Sequence, residues 1–360
     1  MSKVANKAVA FINRNTLPTI VSEELDLDAC YKDDEIVVKI HAAGLNPVDF
    51  ALQFFAYPWL VNKQPKAYGR DYSGEIVRAG KNVKNFEVGE RITGMFNHFF
   101  GKQGSLSNYL VFSPDKHPAT VKMPAFNDAK YDDYVLNAAW PLVFSTAHQV
   151  LMGGSRPKLG PKSNILVIGA STAVSNSFVQ IAKNHLEVGN VVGICSAKSF
   201  EHNQALGFDH LVAYDEGNTV SQVKELIKNE LNNEKFDLIF DSVGSSDFFG
   251  SIDDVLKHKS ENSYYLTIVG DHKMDYNNLN FMNAMPGWES LKRLGPFRRY
   301  NFQSILCKED SDSVKLASQL IAEKKFKPAI DSVYDFDQYS EALKKLKSNK
   351  TKGKVVVKVT

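Results

Sequence analysis

The stretch that decides the fold is Asn164-Ile-Leu-Val-Ile-Gly-Ala-Ser-Thr-Ala-Val-Ser-Asn-Ser-Phe-Val-Gln-Ile-Ala-Lys-Asn-His-Leu-Glu-Val-Gly-Asn-Val-Val-Gly-Ile-Cys-Ser196. An apolar run, Ile165 to Ile168, stops at a tight turn that begins with Gly169. Phe178, Ile181, Ala182 and His185 then fall on one face of a helix, and a second apolar run follows at Val191 to Ile194. In such a strand-turn-helix-strand unit the first turn lies on a helix N-terminus, where backbone N–H groups can receive a dinucleotide pyrophosphate. The full fingerprint uses glycines for the tight turn, for close backbone approach and for helix–strand packing. Here Gly169 remains, while Thr172, Ala173 and Ser175 stand at the later positions. Either the turn only joins strand to helix, or Gly169, Ser171, Thr172, Ala173 and Val174 cradle a phosphate. On the second reading Ala173 and Ser175 are small enough to let the phosphate reach the helix N–H groups.

Outward from this unit, strands are expected at 164–168, 191–195, 210–213, 236–241, 264–269 and 302–307, with amphipathic helices between most of them. One helix is marked by Val220, Val223, Leu226, Ile227 and Leu231. Repeated strand–helix alternation implies a parallel, doubly wound α/β sheet. The pattern begins near Ala138; before it the chain reads as β-rich, with strands at Lys7–Phe11, Glu35–His41, Tyr72–Arg78 and Glu90–Gly94. Gly44-Leu-Asn-Pro47 and Gly80-Lys-Asn82 read as turns. Residues 114–134 read as a long connection, and the tail, ending in Lys354-Val-Val-Val-Lys358, as a return to the first domain.

Composition fits two soluble domains: 360 residues, 43% hydrophobic, 23% charged. A net charge of +2 gives no electrostatic reason to expect nucleic acid or an anionic membrane, and no basic-aromatic stripe is visible. Cys30, Cys195 and Cys307 are too scattered for a disulfide framework or a Cys-rich metal site, which fits a reducing compartment. Neither a membrane span nor a leader segment is legible, so a cytoplasmic location is expected.

In order, Ala42-Ala-Gly-Leu-Asn-Pro-Val-Asp49, Gly69-Arg-Asp-Tyr-Ser-Gly-Glu-Ile-Val77 running on to Gly89-Glu-Arg-Ile92, Ala138-Ala-Trp-Pro-Leu142 with Ser145-Thr-Ala147, Phe236-Asp-Leu-Ile-Phe-Asp-Ser-Val-Gly244 and Gly353-Lys-Val-Val-Val-Lys358 span nearly the whole chain. Together they resemble the medium-chain dehydrogenase/reductase superfamily, in its zinc-free quinone oxidoreductase branch, with lengths that fit fungal members. The resemblance implies a Rossmann nucleotide-binding domain over residues 138–309 and a β-rich GroES-like catalytic domain over 1–137 and 310–360. Zinc-dependent members place Cys, a His-Glu pair and a further Cys or His around their ion; this chain has Asn46 and Arg70-Asp71 at the first positions. An amide and a guanidinium cannot replace thiolate or imidazole ligands, so no metal is expected.

NAD-preferring folds put an acid at the end of the second strand to bind the ribose. This chain reads Cys195-Ser-Ala-Lys198, and Ser196 and Lys198 suit a 2′-phosphate, so NADPH is the expected cofactor; the alternative for Lys198 is a solvated surface lysine. The resemblance implies Tyr214 near the adenosine, and Asn46, Thr146, Val269 and Gly270 near the nicotinamide. Tyr214 is equally a strand-end aromatic, Asn46 equally a turn residue before Pro47, and Thr146 equally a plain helix residue. Tyr57 lies eight residues after Asp49, where enoyl-thioester reductases of the superfamily carry a proton-donating tyrosine; the alternative is a buried aromatic. Phe55 stands where a small glycine is expected.

Phe54, Phe55, Tyr57, Trp59, Phe96, Phe99 and Phe100 suggest an apolar cleft for a flat, unsaturated molecule. Met282 to Arg299, with Trp288, Phe297, Arg298 and Arg299, reads as a flap over the cleft or as part of a homodimer interface. Two functions emerge. The first is a zinc-independent, NADPH-dependent reductase of quinones or α,β-unsaturated carbonyl compounds, with a small apolar substrate and Tyr57 or water as proton source. The alternative is a catalytically degenerate member acting as a binding or interaction module, motivated by the glycine-poor turn and by Phe55.

Overall fold

The computed structural model describes residues 3–154, 156–280, 287–293 and 300–360. The chain divides into two compact units, Met1–Ser145 with Lys308–Thr360, and Thr146–Cys307.

The first unit is built on strands β1 (Lys3–Phe11), β2 (Thr19–Asp26), β3 (Ile36–Gly44), β4 (Lys66–Ala67), β5 (Asp71–Ala79), β6 (Arg91–Met95), β7 (Tyr109–Phe112) and β8 (Thr120–Lys122). β3 carries Ile36, Val37, Val38 and Ile40, all fully buried. A strand without a solvent face belongs in the middle of a sheet, and β3 pairs antiparallel with β5 and β7. β8 interrupts the expected 114–134 connection by pairing with β6. β3 runs on through Gly44, where a Cβ would lie 2.1 Å from the Ala138 carbonyl oxygen, and the chain then enters helix α1 (Pro47–Phe55). Asn46 caps α1, and Pro47 at its first position suits the missing N–H. Helix α2 (Asp133–Asn137) is followed by α3 (Pro141–Met152), which crosses the boundary between the units.

The second unit holds β9 (Asn164–Ile168), helix α4 (Ala173–Asn184), β10 (Asn190–Cys195), β11 (His210–Ala213), β12 (Leu238–Asp241), β13 (Tyr264–Thr267) and β14 (Asn301–Ser304). Among the described residues these strands form one parallel sheet in the order β11-β10-β9-β12-β13-β14. Phe178 of α4 stacks on Phe240 at 4.9 Å. Val223 and Ile227, from the helix Thr219–Asn229, join the cluster that contains the neighbouring Ile239. Adjacent strand residues point to opposite faces, so helices cover both sides and the unit is doubly wound.

Three strands are shorter than their apolar runs. β12 starts at Leu238 rather than Phe236, which makes an isolated bridge to Leu256. β14 covers Asn301–Ser304 rather than 302–307. β13 ends at Thr267 because the Thr267 hydroxyl accepts from the N–H groups of Val269 (3.2 Å) and Gly270 (2.9 Å) and donates to the Gly270 carbonyl (3.0 Å). That local turn takes the backbone groups a ladder would use.

The tail re-enters the first unit through β15 (Ile330–Asp335) and β16 (Lys354–Lys358). β16 pairs antiparallel with β3, Val356 opposite Gly44, so the last strand lies against the residues that lead into α1. No helix among the described residues is long and apolar enough to cross a membrane.

Candidate functional site

In an open α/β sheet the ligand crevice lies where the strand order reverses. Here that point is between β9 and β12, and both carboxyl ends meet at one turn. Gly169, at φ +89°, makes the turn possible. A Cβ there would lie 2.4 Å from Val243 Cγ1 and 2.7 Å from Ser242 Oγ, so both space and backbone angle require glycine.

The three non-glycine residues of the turn have identifiable places. Thr172 is the N-cap of α4, its hydroxyl accepting from the Ser175 N–H at 3.2 Å. Thr172, Ser175 and Ser242 form a hydroxyl triangle: Thr172 to Ser175 at 2.9 Å, and each to Ser242 at 3.0 Å. Ser242 also donates to the Ile168 carbonyl at 2.9 Å. Ser175 is fully buried with its hydroxyl toward β12, so it replaces the packing glycine and does not crowd the outer side of the turn. Ala173 and Val174 open the helix, and their N–H groups meet no acceptor among the described residues. Two unsatisfied donors at the positive end of a three-turn helix favour an anion there. Ser171 accepts from Asn203 Nδ2 at 2.9 Å, and Asn203, fully buried, also donates to the Ser199 carbonyl at 3.0 Å. Sequence patterning gave no sign of Ser242 or Asn203, because both reach the turn from distant segments.

Beyond β10, Ser196 is buried and shares a hydrogen bond with Ser199 at 3.1 Å, on either side of exposed Lys198. The loop also meets a carboxylate: Asp215 Oδ1 accepts from the Ala197 N–H at 2.9 Å. It comes from the segment after β11, next to Tyr214, which is 60% exposed. Val269 and Gly270 lie on the Thr267 turn at the end of β13, with Gly270 at φ +124°. Thr146 is buried within α3.

In the first unit Asn46 is 1% exposed and sits in a buried charge network. Its amide nitrogen donates to Asp71 Oδ2 at 2.9 Å, and its amide oxygen accepts from Lys354 Nζ at 2.6 Å. Lys354 also pairs with Asp71 at 2.5 Å. The Asn46 backbone N–H donates to Asp49 at 3.0 Å, and Asp49 is held by Arg70 at 2.7 Å. These residues do not fit a zinc ion. Two side-chain cations already neutralise the two carboxylates, Asn46 offers an amide, and no thiolate or neutral imidazole is among these donors.

Tyr57 is half-buried, with the Arg14 guanidinium 4.3 Å from its ring centroid and 4.2 Å from that of Phe54. Its hydroxyl has no hydrogen-bond partner among the described residues. The other aromatics are dispersed: Phe54 and Phe96 are core residues, whereas Trp59 is 80% and Phe99 76% exposed. Phe55 packs edge-on against Phe54 at 5.2 Å. Of the segment 282–299, Trp288 is 70% exposed, while Phe297, Arg298 and Arg299 lie outside the described residues.

Comparison with known proteins agrees with this architecture. Residues 32–125 match the alcohol dehydrogenase GroES-like domain, and residues 206–357 match a family described as zinc-binding dehydrogenase. Protein YIM1-1 of Lachancea thermotolerans is 59% identical, with 99% of each chain covered. Protein YIM1 of Saccharomyces cerevisiae is 47% identical, with 99% of this chain and 98% of that protein covered. Among solved structures, the quinone oxidoreductase from Coxiella burnetii superposes with a TM-score of 0.74 at 20% identity, covering 99% of this chain and all of that one. The CurK enoyl reductase gives 0.74 at 19% identity, with 99% of each chain covered. With its GroES-like and doubly wound units in this order, and with these relatives, the chain belongs to the YIM1 family of fungal proteins, within the medium-chain dehydrogenase/reductase superfamily.

Proposed function

We propose that this protein is a zinc-independent, NADPH-dependent reductase of quinones or α,β-unsaturated carbonyl compounds. The observation that carries the proposal is the turn at the β9/β12 switch point, where Gly169 brings the unsatisfied N–H groups of Ala173 and Val174 to one edge. The superfamily's oxidoreductase fold implies a nicotinamide cofactor, which when bound supplies a hydride equivalent. Around the turn, Ser171 and Thr172 line the pyrophosphate position. Ser196 and Lys198 receive the 2′-phosphate, and Tyr214 lies beside the adenosine. Thr146, Val269 and Gly270 in the doubly wound unit, and Asn46 in the GroES-like unit, are the residues that the resemblance supports as nicotinamide contacts.

Substrate reduction also requires a proton at the developing oxyanion. The Tyr57 hydroxyl, uncommitted among the described residues, donates it, with water as the alternative source. The neighbours titled quinone oxidoreductase and enoyl reductase suggest the substrate classes. The degenerate reading is motivated by the glycine-poor turn and by Phe55. The first of these is weakened by Ser175, whose hydroxyl points inward to Ser242. The test is a turnover assay with NADPH against a panel of quinones and enones. Cofactor oxidation dependent on at least one is expected; none with any of them contradicts the proposal.

A further inference from the structure

The buried ion pair between Lys354 and Asp71 has no role in the reading above, yet it is built with care. Lys354 is 2% exposed and Asp71 fully buried. Burying two charges costs several kcal/mol per ion, and such a pair is often no more stabilising than apolar residues of the same volume. Stability alone therefore gives little account of it, whereas fixing a geometry does.

Asp71 holds two elements at once. Its Oδ2 accepts from the Asn46 amide at 2.9 Å and from Lys354 at 2.5 Å. Its Oδ1 accepts from the backbone N–H of Leu142, at 2.8 Å. Leu142 is the second residue of α3, so its N–H is one of the helix's orphan donors, satisfied here from strand β5. Thr146 lies one turn further along the same helix. Lys354 adds a bond to Asn46 Oδ1 at 2.6 Å, which fixes the orientation of the amide.

We propose that the Lys354–Asp71 pair is a positioning device for Asn46, the first unit's proposed nicotinamide contact, holding it in one register with the first turn of α3. The inference rests on the dinucleotide reading above. Neither residue touches the cofactor; Asp71 acts through Asn46 and Leu142, and Lys354 holds the Asp71 carboxylate and the Asn46 amide in place.

The test compares the unmodified protein with the double variant Asp71→Asn/Lys354→Met, which removes both charges together and leaves no unpaired ion. Each is titrated with NADPH and with 2′,5′-ADP, which has the adenine half and no nicotinamide, and the emission of bound nicotinamide is recorded. The expected result is 2′,5′-ADP affinity within about twofold of the unmodified protein, NADPH affinity lower by about tenfold, and loss of the bound-nicotinamide emission shift. If that variant does not fold, Asp71→Asn/Lys354→Gln carries the same comparison, since it also removes both charges and keeps a donor toward Asn46. Parallel changes for both ligands, or no change for either, overturn the positioning role. If the unmodified protein binds neither ligand, the dinucleotide reading itself fails and this inference falls with it.

Discussion

Lys198, after β10, and Asp215, after β11, meet at one loop with opposite charges. Lys198 is exposed and Asp215 accepts from the adjacent Ala197 N–H, so cation and carboxylate both flank the proposed 2′-phosphate position. We predict that Lys198→Ala weakens NADPH by about 1.5 kcal/mol, roughly tenfold, and leaves NADH nearly unchanged, because the lost contact is a charge-assisted one to a group that NADH lacks. Asp215→Asn should shift preference further toward NADPH. Paired titrations of each variant check both, and equal losses for the two cofactors would remove Lys198 from the site. Lys198 was visible in the sequence as the residue where an acid is usual. Asp215 was not, since it lies 18 positions beyond the N–H it meets.

His98 makes a pH-dependent contribution at the same scale. Burial first, and the Arg70 guanidinium second, pull its imidazole from its ordinary 6.5 down to about 4. Between those values the unfolded chain holds the extra proton, so this contribution to stability is present above the ordinary value and is lost as pH falls toward 4. The full effect is about 3 kcal/mol. Asp241, raised by burial to about 6, acts in the opposite direction over much of that window, so raw stability against pH does not isolate His98. The difference between the unmodified protein and His98→Gln, followed by urea unfolding from pH 7 to 4.5, does; it should shrink on acidification. A difference independent of pH would show that His98 is not buried in its neutral form.

At the scale of elements, the turn between β9 and α4 shows how a glycine-poor sequence keeps a nucleotide-type geometry. Ser175→Gly removes two hydroxyl contacts and puts glycine in the first helical turn, which together should cost about 1–2 kcal/mol without tightening NADPH. Thermal unfolding with a cofactor titration checks this, and tighter binding would mean that Ser175 obstructs the phosphate after all. Gly169→Ala should be worse on both counts, destabilising by about 1–3 kcal/mol and weakening any dinucleotide, since its Cβ enters Val243 and Ser242 at positive φ. The strand and helix themselves were legible because Ile165 to Ile168 and Phe178 to Ala182 carry their own periodicities. The end of β13 was not. Thr267 reads as one more β-favouring residue, and only its hydroxyl bonds to Val269 and Gly270 stop the strand.

For the whole molecule, the ordered motifs made the two-unit architecture readable, because each landmark is a local pattern of glycines, apolar runs and turns. The charge network that joins β3, α1, β5, α3 and β16 was hidden. Lys354 and Asp71 are 283 positions apart, and each alone reads as a surface ion. Asn46 and Arg70 stand where zinc-dependent members place ligands and set the expectation of no metal, but what fills their surroundings emerged only when the tail strand paired with β3. The central claim, that the switch-point turn binds a nicotinamide dinucleotide and prefers the phosphorylated form, is tested most directly by calorimetric titration of the unmodified protein with NADPH and NADH. The account predicts saturable micromolar binding of NADPH at one site per chain and binding of NADH weaker by about tenfold. Binding of neither dinucleotide would contradict it and leave the interaction-module reading in its place.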